Sequence, residues 1–138
     1  MFLIVEDEPA IRLLLEEGFM DAGVEVMLAC DGEQAIAKLN ARPGGFEALV
    51  TDIRLGAGPD GWEVGRLARK LAPGMAVVYV SGDSGYDWPL NGVAGSAFFD
   101  KPFGLSQIVS AALKLLAEAR TLPAAIASSF AATPPVYH

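Results

Sequence analysis

Short apolar runs rich in β-branched residues alternate with segments of helical periodicity along most of the chain. The five runs are 2–6, 24–30, 46–52, 75–81 and 95–100, and the helical segments are 9–23, 31–40, 61–71 and 105–120. Apolar runs without polar alternation are typical of parallel strands buried on both faces, and the helices supply the crossovers. The pattern predicts an α/β fold built on a doubly wound, five-stranded parallel sheet.

The first and last helices have clear apolar faces, which we expect to pack on the sheet. In the first helix the face comprises Ile11, Leu14, Leu15 and Phe19. In the last helix it comprises Leu105, Ile108, Val109, Ala112 and Leu116. The connection between the fourth and fifth strands differs, because Gly85, Pro89 and Gly92 work against a regular helix. A short or irregular fourth helix is therefore predicted there.

Composition and charge exclude several classes of protein. The net charge of −7 and the pI near 4.5 argue against nucleic-acid binding, which depends on Lys and Arg. No apolar stretch reaches the roughly 18 residues of a membrane span, and the amino terminus lacks the basic start of a signal peptide. We expect a cytoplasmic protein without membrane insertion. The single cysteine, Cys30, is expected to be a small buried side chain.

A change in composition marks a boundary near residue 120. Every formally charged side chain precedes residue 121, so 121–138 is an uncharged tail rich in Ala and Pro. We therefore divide the chain into a folded domain, 1–120, and a tail, 121–138. In the tail, Leu122, Ile126 and Phe130 have the spacing of a short helix that would lie on the domain or on a partner, and an unstructured end is the alternative.

Ionisable and polar side chains stand at the predicted carboxyl ends of four strands. Glu6 and Asp7 close the first strand and Asp52 closes the third. Ser81 closes the fourth strand, and Lys101 follows the fifth. In a sheet of order 2-1-3-4-5 the first and third strands are neighbours, so the three carboxylates converge in one pocket. Their mutual repulsion would be relieved by Lys101 and by a divalent cation.

A pocket of this composition suits phosphoryl transfer. A hard cation such as Mg²⁺ binds carboxylate oxygens and keeps a position for a phosphate oxygen. Asp52 would attack phosphorus in line and form an acyl phosphate, while Lys101 neutralises charge and Ser81 donates a hydrogen bond. Taken singly, each residue has a simpler structural explanation as a helix-dipole acid, a turn residue or a surface lysine. The ordered set at successive strand ends favours the phosphoryl site.

The same residues resemble the motifs of receiver domains in bacterial two-component response regulators. The matching stretches are LIVEDEP (3–9), VTDIR (50–54), DGWE (60–63), YVSG (79–82) and DKPF (100–103). The resemblance covers residues 2–120 and implies the flavodoxin-like receiver fold, with strand order 2-1-3-4-5. It includes similarity to stand-alone receivers of the alphaproteobacterial type and to receivers of hybrid kinases.

The resemblance also implies roles for residues around the acidic pocket. Asp52 would be the phosphoacceptor of a phosphorelay, modified by a histidine kinase, a histidine phosphotransfer protein or a small acyl phosphate. Asp7, Asp52 and the main-chain carbonyl of Arg54 would ligate Mg²⁺ or Mn²⁺, with Glu6 acting through water. Arg54 and Asp83 occupy the positions that tune the lifetime of the acyl phosphate in the family.

Switching in the family couples a hydroxyl residue to an aromatic ring. Ser81 and Lys101 would contact the phosphoryl group, and the Lys101–Pro102 peptide bond would be cis. Phosphate would draw Ser81 inward, and Phe98 would then be favoured in the vacated space, which would change the surface that partners contact. A plain core aromatic is the alternative role for Phe98. The chain would be a signalling phosphoacceptor and not an enzyme, beyond catalysing its own phosphorylation and dephosphorylation.

Departures from the family pattern leave other functions open. The loop LGAGPDG (55–61) lacks the usual Met-Pro pair and is one residue longer, and we expect no output domain after Arg120. Output would come from contact with an unidentified protein, from a phosphorylation-dependent homodimer or from draining phosphate from a kinase. A phosphorylation-independent interaction module is the main alternative. A metal-dependent phosphatase would need a second Asp at position 54, where this chain has Arg54.

Overall fold

The computed structural model describes residues 1–83 and 85–121, without the side chains of residues 120 and 121. Its elements are β1 (Phe2–Val5), α1 (Pro9–Asp21), β2 (Val26–Ala29), α2 (Gly32–Ala41), β3 (Ala48–Asp52), α3 (Gly61–Leu71), β4 (Ala76–Ser81), α4 (Trp88–Asn91), β5 (Ala97–Asp100) and α5 (Leu105–Thr121). A 3₁₀ turn, Gly85–Asp87, precedes α4. The proposed tail, with its three apolar positions, lies outside the described residues apart from Thr121.

The five strands form one parallel sheet in the order β2-β1-β3-β4-β5, which confirms the predicted fold class and strand order. Strand β1 lies in the interior of the sheet, because Ile4 pairs with Leu28 of β2 on one side and with Val50 of β3 on the other. Strand β3 pairs in turn with β4, and β4 with β5. The carboxyl ends of β1, β3 and β4 therefore stand side by side.

Both faces of the sheet are buried, which explains why the strand sequences show no polar alternation. Leu3 and Val5 point into a core shared with α2, α3 and α4. Phe2 and Ile4 point into a second core shared with α1 and α5. The strands are thus held from both sides, and the residues that follow them are positioned by two cores.

Aspartate caps begin two of the helices. The Asp31 carboxylate accepts a hydrogen bond from the Gln34 amide at 2.8 Å at the start of α2. The Asp60 carboxylate accepts one from the Glu63 amide at 3.0 Å at the start of α3. Each cap satisfies an amide that has no partner within the helix. The second cap also sets where α3 begins behind the loop that follows Asp52.

The predicted short fourth helix is confirmed, since α4 has only four residues. Trp88 anchors it: the side chain is buried, and its Nε1 donates to Ser96 Oγ at 3.0 Å. The Ser96 hydroxyl donates onward to the Val93 carbonyl at 2.6 Å. Tyr79 Oη accepts the Val93 amide at 3.2 Å from beneath. Side-chain contacts thus replace the backbone hydrogen bonds that a longer helix would provide.

Two details of the sequence prediction are wrong. Leu14 is 46% exposed, because Leu15 and Phe19 occupy the buried face of α1. The predicted face of α5 is confirmed, and Leu115 adds to it. Cys30 is exposed, since it follows the edge strand β2. In the described part of the chain, no helix combines the length and the apolar character needed to cross a membrane.

Candidate functional site

The carboxyl ends of the central strands bring the predicted acidic residues together. Glu6 follows β1 and Asp52 ends β3, and these strands are hydrogen-bonded neighbours. One carboxylate oxygen from each of Glu6, Asp7 and Asp52 lies within 4.8 Å of the others. Glu6 and Asp52 are buried, whereas Asp7 is exposed. The pocket therefore concentrates three carboxylates and opens toward solvent on the side of Asp7.

Lys101, which directly follows the edge strand β5, supplies the opposing charge. Its Nζ lies 2.9 Å from Asp52 Oδ2 and 3.0 Å from Glu6 Oε1. Its backbone amide donates to the Ser81 carbonyl at 2.9 Å, which ties the segment after β5 to the end of β4. Burial lowers the pKa of Lys101, but the hydrogen bonds and charges of Asp52 and Glu6 more than offset this, so the pKa lies above its ordinary value. Lys101 is therefore cationic.

Glu6 is the most perturbed carboxyl of the site. Burial raises its pKa to about 8, the Lys101 ammonium opposes that rise, and the Asp52 carboxylate adds to it. Its Oε2 accepts the Glu8 amide at 3.3 Å. With a pKa of about 8, Glu6 is largely protonated at neutral pH when Lys101 is the cation beside it. A second cation in the pocket would favour the ionised form of Glu6, because an opposite charge nearby lowers the pKa of a carboxyl group.

The donor set fits a hard divalent ion. Carboxylate oxygens with access to water are the ligands that Mg²⁺ prefers, and no softer sulfur or imidazole ligand belongs to the described cluster. Asp7 and Asp52 lie close enough to bind one ion together. Arg54, whose main-chain carbonyl is the third predicted ligand, lies two residues after Asp52 on the loop that leaves β3.

The backbone around Asp52 is tightly packed. Asp52 Oδ1 accepts the Arg54 amide at 3.3 Å. The loop then returns at Gly61, whose amide donates to the Ile53 carbonyl at 2.8 Å. A Cβ at position 61 would stand 2.1 Å from the Asp52 carbonyl oxygen, so only glycine allows α3 to begin here. Gly61 was not among the predicted site residues, and its place in the motif DGWE (60–63) is the signal in the sequence for this close approach.

In the loop after Asp52, the residues with left-handed backbone conformations are glycines. Gly56 and Gly58 have φ of 81° and 94°, in the left-handed region that favours glycine. Pro59 then packs on the start of α2, where a Cβ on Gly32 would stand 2.1 Å from the Pro59 carbonyl oxygen. Gly56 and Gly58 thus give the loop the turns that lead back toward α2 and α3.

Ser81, Asp83 and Arg54 form a second polar group beside the acidic pocket. Ser81 Oγ donates to Asp83 Oδ1 at 3.3 Å. The Arg54 side chain forms an ion pair with the Asp83 carboxylate, with Nε and Oδ2 2.8 Å apart. The hydrogen bond and charge of Asp83 raise the pKa of Arg54. The structure therefore brings together the two residues predicted to tune the acyl phosphate.

Phe98 is buried in the structure. It is 2% exposed and stacks on Trp88, with ring centroids 6.0 Å apart. A Cβ on Gly85 would stand 3.1 Å from its ring, so the 3₁₀ turn covers it closely. The ring thus joins α4 to β5, and its predicted movement with Ser81 stays a prediction. The Lys101–Pro102 peptide bond is cis, as predicted.

Comparison with known proteins identifies the family. The model of the response regulator receiver domain matches residues 2–113. The chain belongs to this family. A crystal structure of a response regulator receiver protein from Sinorhizobium medicae WSM419 is 37% identical, with a TM-score of 0.82 over 86% of this chain and 94% of that one. The resemblance drawn from the sequence motifs is confirmed.

Two further relatives contain the receiver within other arrangements. A putative NtrX-like response regulator of Rickettsia conorii is 32% identical over 78% of this chain. The chain spans 23% of that relative's length. The receiver domain of the hybrid histidine kinase CckA is 27% identical, with a TM-score of 0.70 over 83% of this chain and 97% of that one.

Proposed function

We propose that this receiver accepts a phosphoryl group on Asp52 in a two-component phosphorelay. The observation that carries the proposal is the environment of the Asp52 carboxylate, which is buried beside two other acids and paired with Lys101 at 2.9 Å. A buried carboxylate costs free energy that a purely structural role could avoid. The donor would be a phosphohistidine of a histidine kinase or phosphotransfer protein, or a small acyl phosphate.

The transfer uses the described side chains in separate roles. An oxygen of Asp52 forms the new bond to phosphorus, and the donor's P–N or P–O bond breaks with its electron pair going to the donor. Lys101 balances negative charge on the phosphoryl oxygens. Ser81 donates its hydroxyl proton to one of those oxygens in a hydrogen bond. The products are an aspartyl phosphate and the donor without its phosphoryl group.

Asp7, Asp52 and the main-chain carbonyl of Arg54 would hold Mg²⁺ or Mn²⁺, with Glu6 acting through water. When bound, the ion neutralises charge on the phosphoryl oxygens. The protein's part is to bring the carboxylates within 4.8 Å of one another and to keep Glu6 and Asp52 buried. Lys101 remains necessary, because it contacts both buried acids.

Signalling would follow from protein contact or from the removal of phosphate from a kinase. Ser81 ends β4, which pairs with β5, and Phe98 of β5 stacks on Trp88 of α4, so a change at Ser81 would reach the surface at α4. The net charge of −7 supports a protein partner and not a nucleic acid. We propose a cytoplasmic site of action, and a homodimer formed on phosphorylation is a second form of output.

Intact mass measured during incubation with acetyl phosphate tests the proposal. The parent protein should gain one phosphoryl mass with Mg²⁺ and none with a chelator. Asp52→Asn should gain none, whereas the matched Asp21→Asn, altered at an exposed acid at the end of α1, should behave as the parent. Equal labelling of the parent and Asp52→Asn would contradict the assignment of Asp52.

A phosphorylation-independent interaction module is the second candidate. It is favoured by the burial of Phe98 under Gly85, which places the ring inward without any phosphate on Asp52. This candidate predicts no gain of mass with acetyl phosphate or with any histidine kinase. It also predicts that Asp52→Asn leaves partner binding unchanged.

A further inference from the structure

Asp83 connects the hydroxyl of Ser81 to the loop that follows Asp52. Ser81 Oγ donates to Asp83 Oδ1 at 3.3 Å, and the Asp83 amide donates back to Ser81 Oγ at 3.4 Å. The carboxylate is held in turn by Arg54, whose Nε lies 2.8 Å from it. The transfer chemistry uses Ser81 but leaves its contact with Asp83 unexplained.

A serine hydroxyl has one proton to donate. In the structure this proton is directed to the Asp83 carboxylate. The proposed phosphoryl group on Asp52 requires the same proton. Two anionic acceptors therefore compete for a single donor, and Arg54 keeps one of them in place.

We infer that Asp83 is a positioning residue that holds the Ser81 hydroxyl in the unphosphorylated protein, so that a phosphoryl group on Asp52 must displace it. The inference rests on the proposed function and extends it, because it names the contact that opposes the phosphorylated state. Loss of the Asp83 acceptor releases Ser81 and favours binding of a phosphoryl group. Loss of Ser81 itself removes the competition altogether.

We expect Asp83 to restrain Ser81 through the hydrogen bond between them more than through the charge of its carboxylate. The side chains of Arg54 and Asp83 are 72% and 55% exposed, so water and salt screen their charges. A hydrogen bond from Ser81 to the carboxylate requires contact, and it is lost when the acceptor atom is removed. We expect release of Ser81 to strengthen binding of a phosphoryl mimic about three- to tenfold.

A double-mutant cycle with beryllofluoride as the phosphoryl mimic tests the inference. Its dissociation constant at fixed Mg²⁺ is measured by fluorine NMR for the parent, Asp83→Ala, Ser81→Ala and the double variant. Asp83→Ala should bind about three- to tenfold more tightly than the parent. In the Ser81→Ala background the same change should have no effect. Asp83→Asn keeps an acceptor oxygen and should fall between the parent and Asp83→Ala.

Asp87→Ala is the control for charge, since it removes a carboxylate that also acts on Arg54. Its affinity should equal the parent's. An equal gain from Asp83→Ala with and without Ser81, a weaker affinity in Asp83→Ala, or the same gain in Asp87→Ala would each overturn the inference. Circular dichroism verifies that each variant is folded.

The outcome separates this inference from the proposed function. A parent that binds beryllofluoride and gains mass from acetyl phosphate, but shows no coupling between Asp83 and Ser81, overturns the inference alone. A parent that binds no beryllofluoride and gains no mass overturns the phosphoacceptor proposal, and the inference falls with it.

Discussion

Replacement of Gly61 with alanine would place a methyl group against the backbone that carries Asp52. The new Cβ would stand 2.1 Å from the Asp52 carbonyl oxygen and 2.7 Å from Ile53 Cα. Both obstacles are main-chain atoms, so no side-chain rotation relieves the clash. Either the end of β3 or the start of α3 must move by about 1 Å to restore ordinary contact.

The size of the effect follows from two opposing contributions. Overpacking costs about 1–3 kcal/mol. We use the upper end for Gly61→Ala, because the obstacles are main-chain atoms that no side-chain rotation can move. The better helix propensity of alanine offsets up to about 1 kcal/mol. We expect Gly61→Ala to lower the free energy of unfolding by about 2 kcal/mol. A displacement of about 1 Å at Asp52 should also slow phosphorylation about 100-fold.

Urea denaturation and the rate of mass gain from acetyl phosphate measure the two effects. Gly74→Ala is the matched control, because no atom lies within 4 Å of a Cβ there and its φ is not left-handed. Its stability should stay within about 0.5 kcal/mol of the parent's. Parent-like stability and rate in Gly61→Ala would refute the argument that this glycine positions Asp52.

Three further predictions concern other parts of the fold. Trp88→Phe removes the hydrogen bond to Ser96 and should lower the free energy of unfolding by about 1–2 kcal/mol; an unchanged urea midpoint would contradict the anchoring of α4. Burial raises the pKa of Tyr79 above 10.0, so the unfolded chain loses this proton first and stability falls as the pH rises past 10. Tyr79→Phe should therefore lose less stability above pH 10 than the parent. Identical stability profiles of the parent and Tyr79→Phe against pH would exclude Tyr79 as the cause. Cys30 is exposed and should react with a disulfide reagent in the native protein, whereas reaction only after denaturation would show that it is buried.

Hydrophobic pattern predicted the architecture because the pattern and the architecture have the same physical cause. The strands are buried on both faces, so their sequences are apolar throughout, and glycine and proline mark α4 as short. The errors arose where several solutions satisfy one pattern. Leu13, Leu14 and Leu15 are consecutive, so a helix cannot bury all three, and only packing decides which points inward. Cys30 follows an edge strand, and edge position is a property of the whole sheet.

The residues that form the acidic site were predictable, but the contacts between them were not. Parallel strands end at one edge of the sheet, so Glu6, Asp52 and Lys101 had to approach one another. The contact of Ser81 with Asp83 depends on loop conformation after β4, which no periodicity encodes. The close approach of Gly61 to Asp52 depends likewise on where the loop returns to α3.

The location of the phosphoryl group tests the central claim most directly. After incubation with Mg²⁺ and acetyl phosphate, reduction with borohydride converts an aspartyl phosphate to homoserine, and tandem mass spectrometry of the digested protein locates the change. We expect homoserine in place of Asp52 and in no other position. Modification of another acid such as Asp7, or no modification where a known receiver is labelled in parallel, would contradict it.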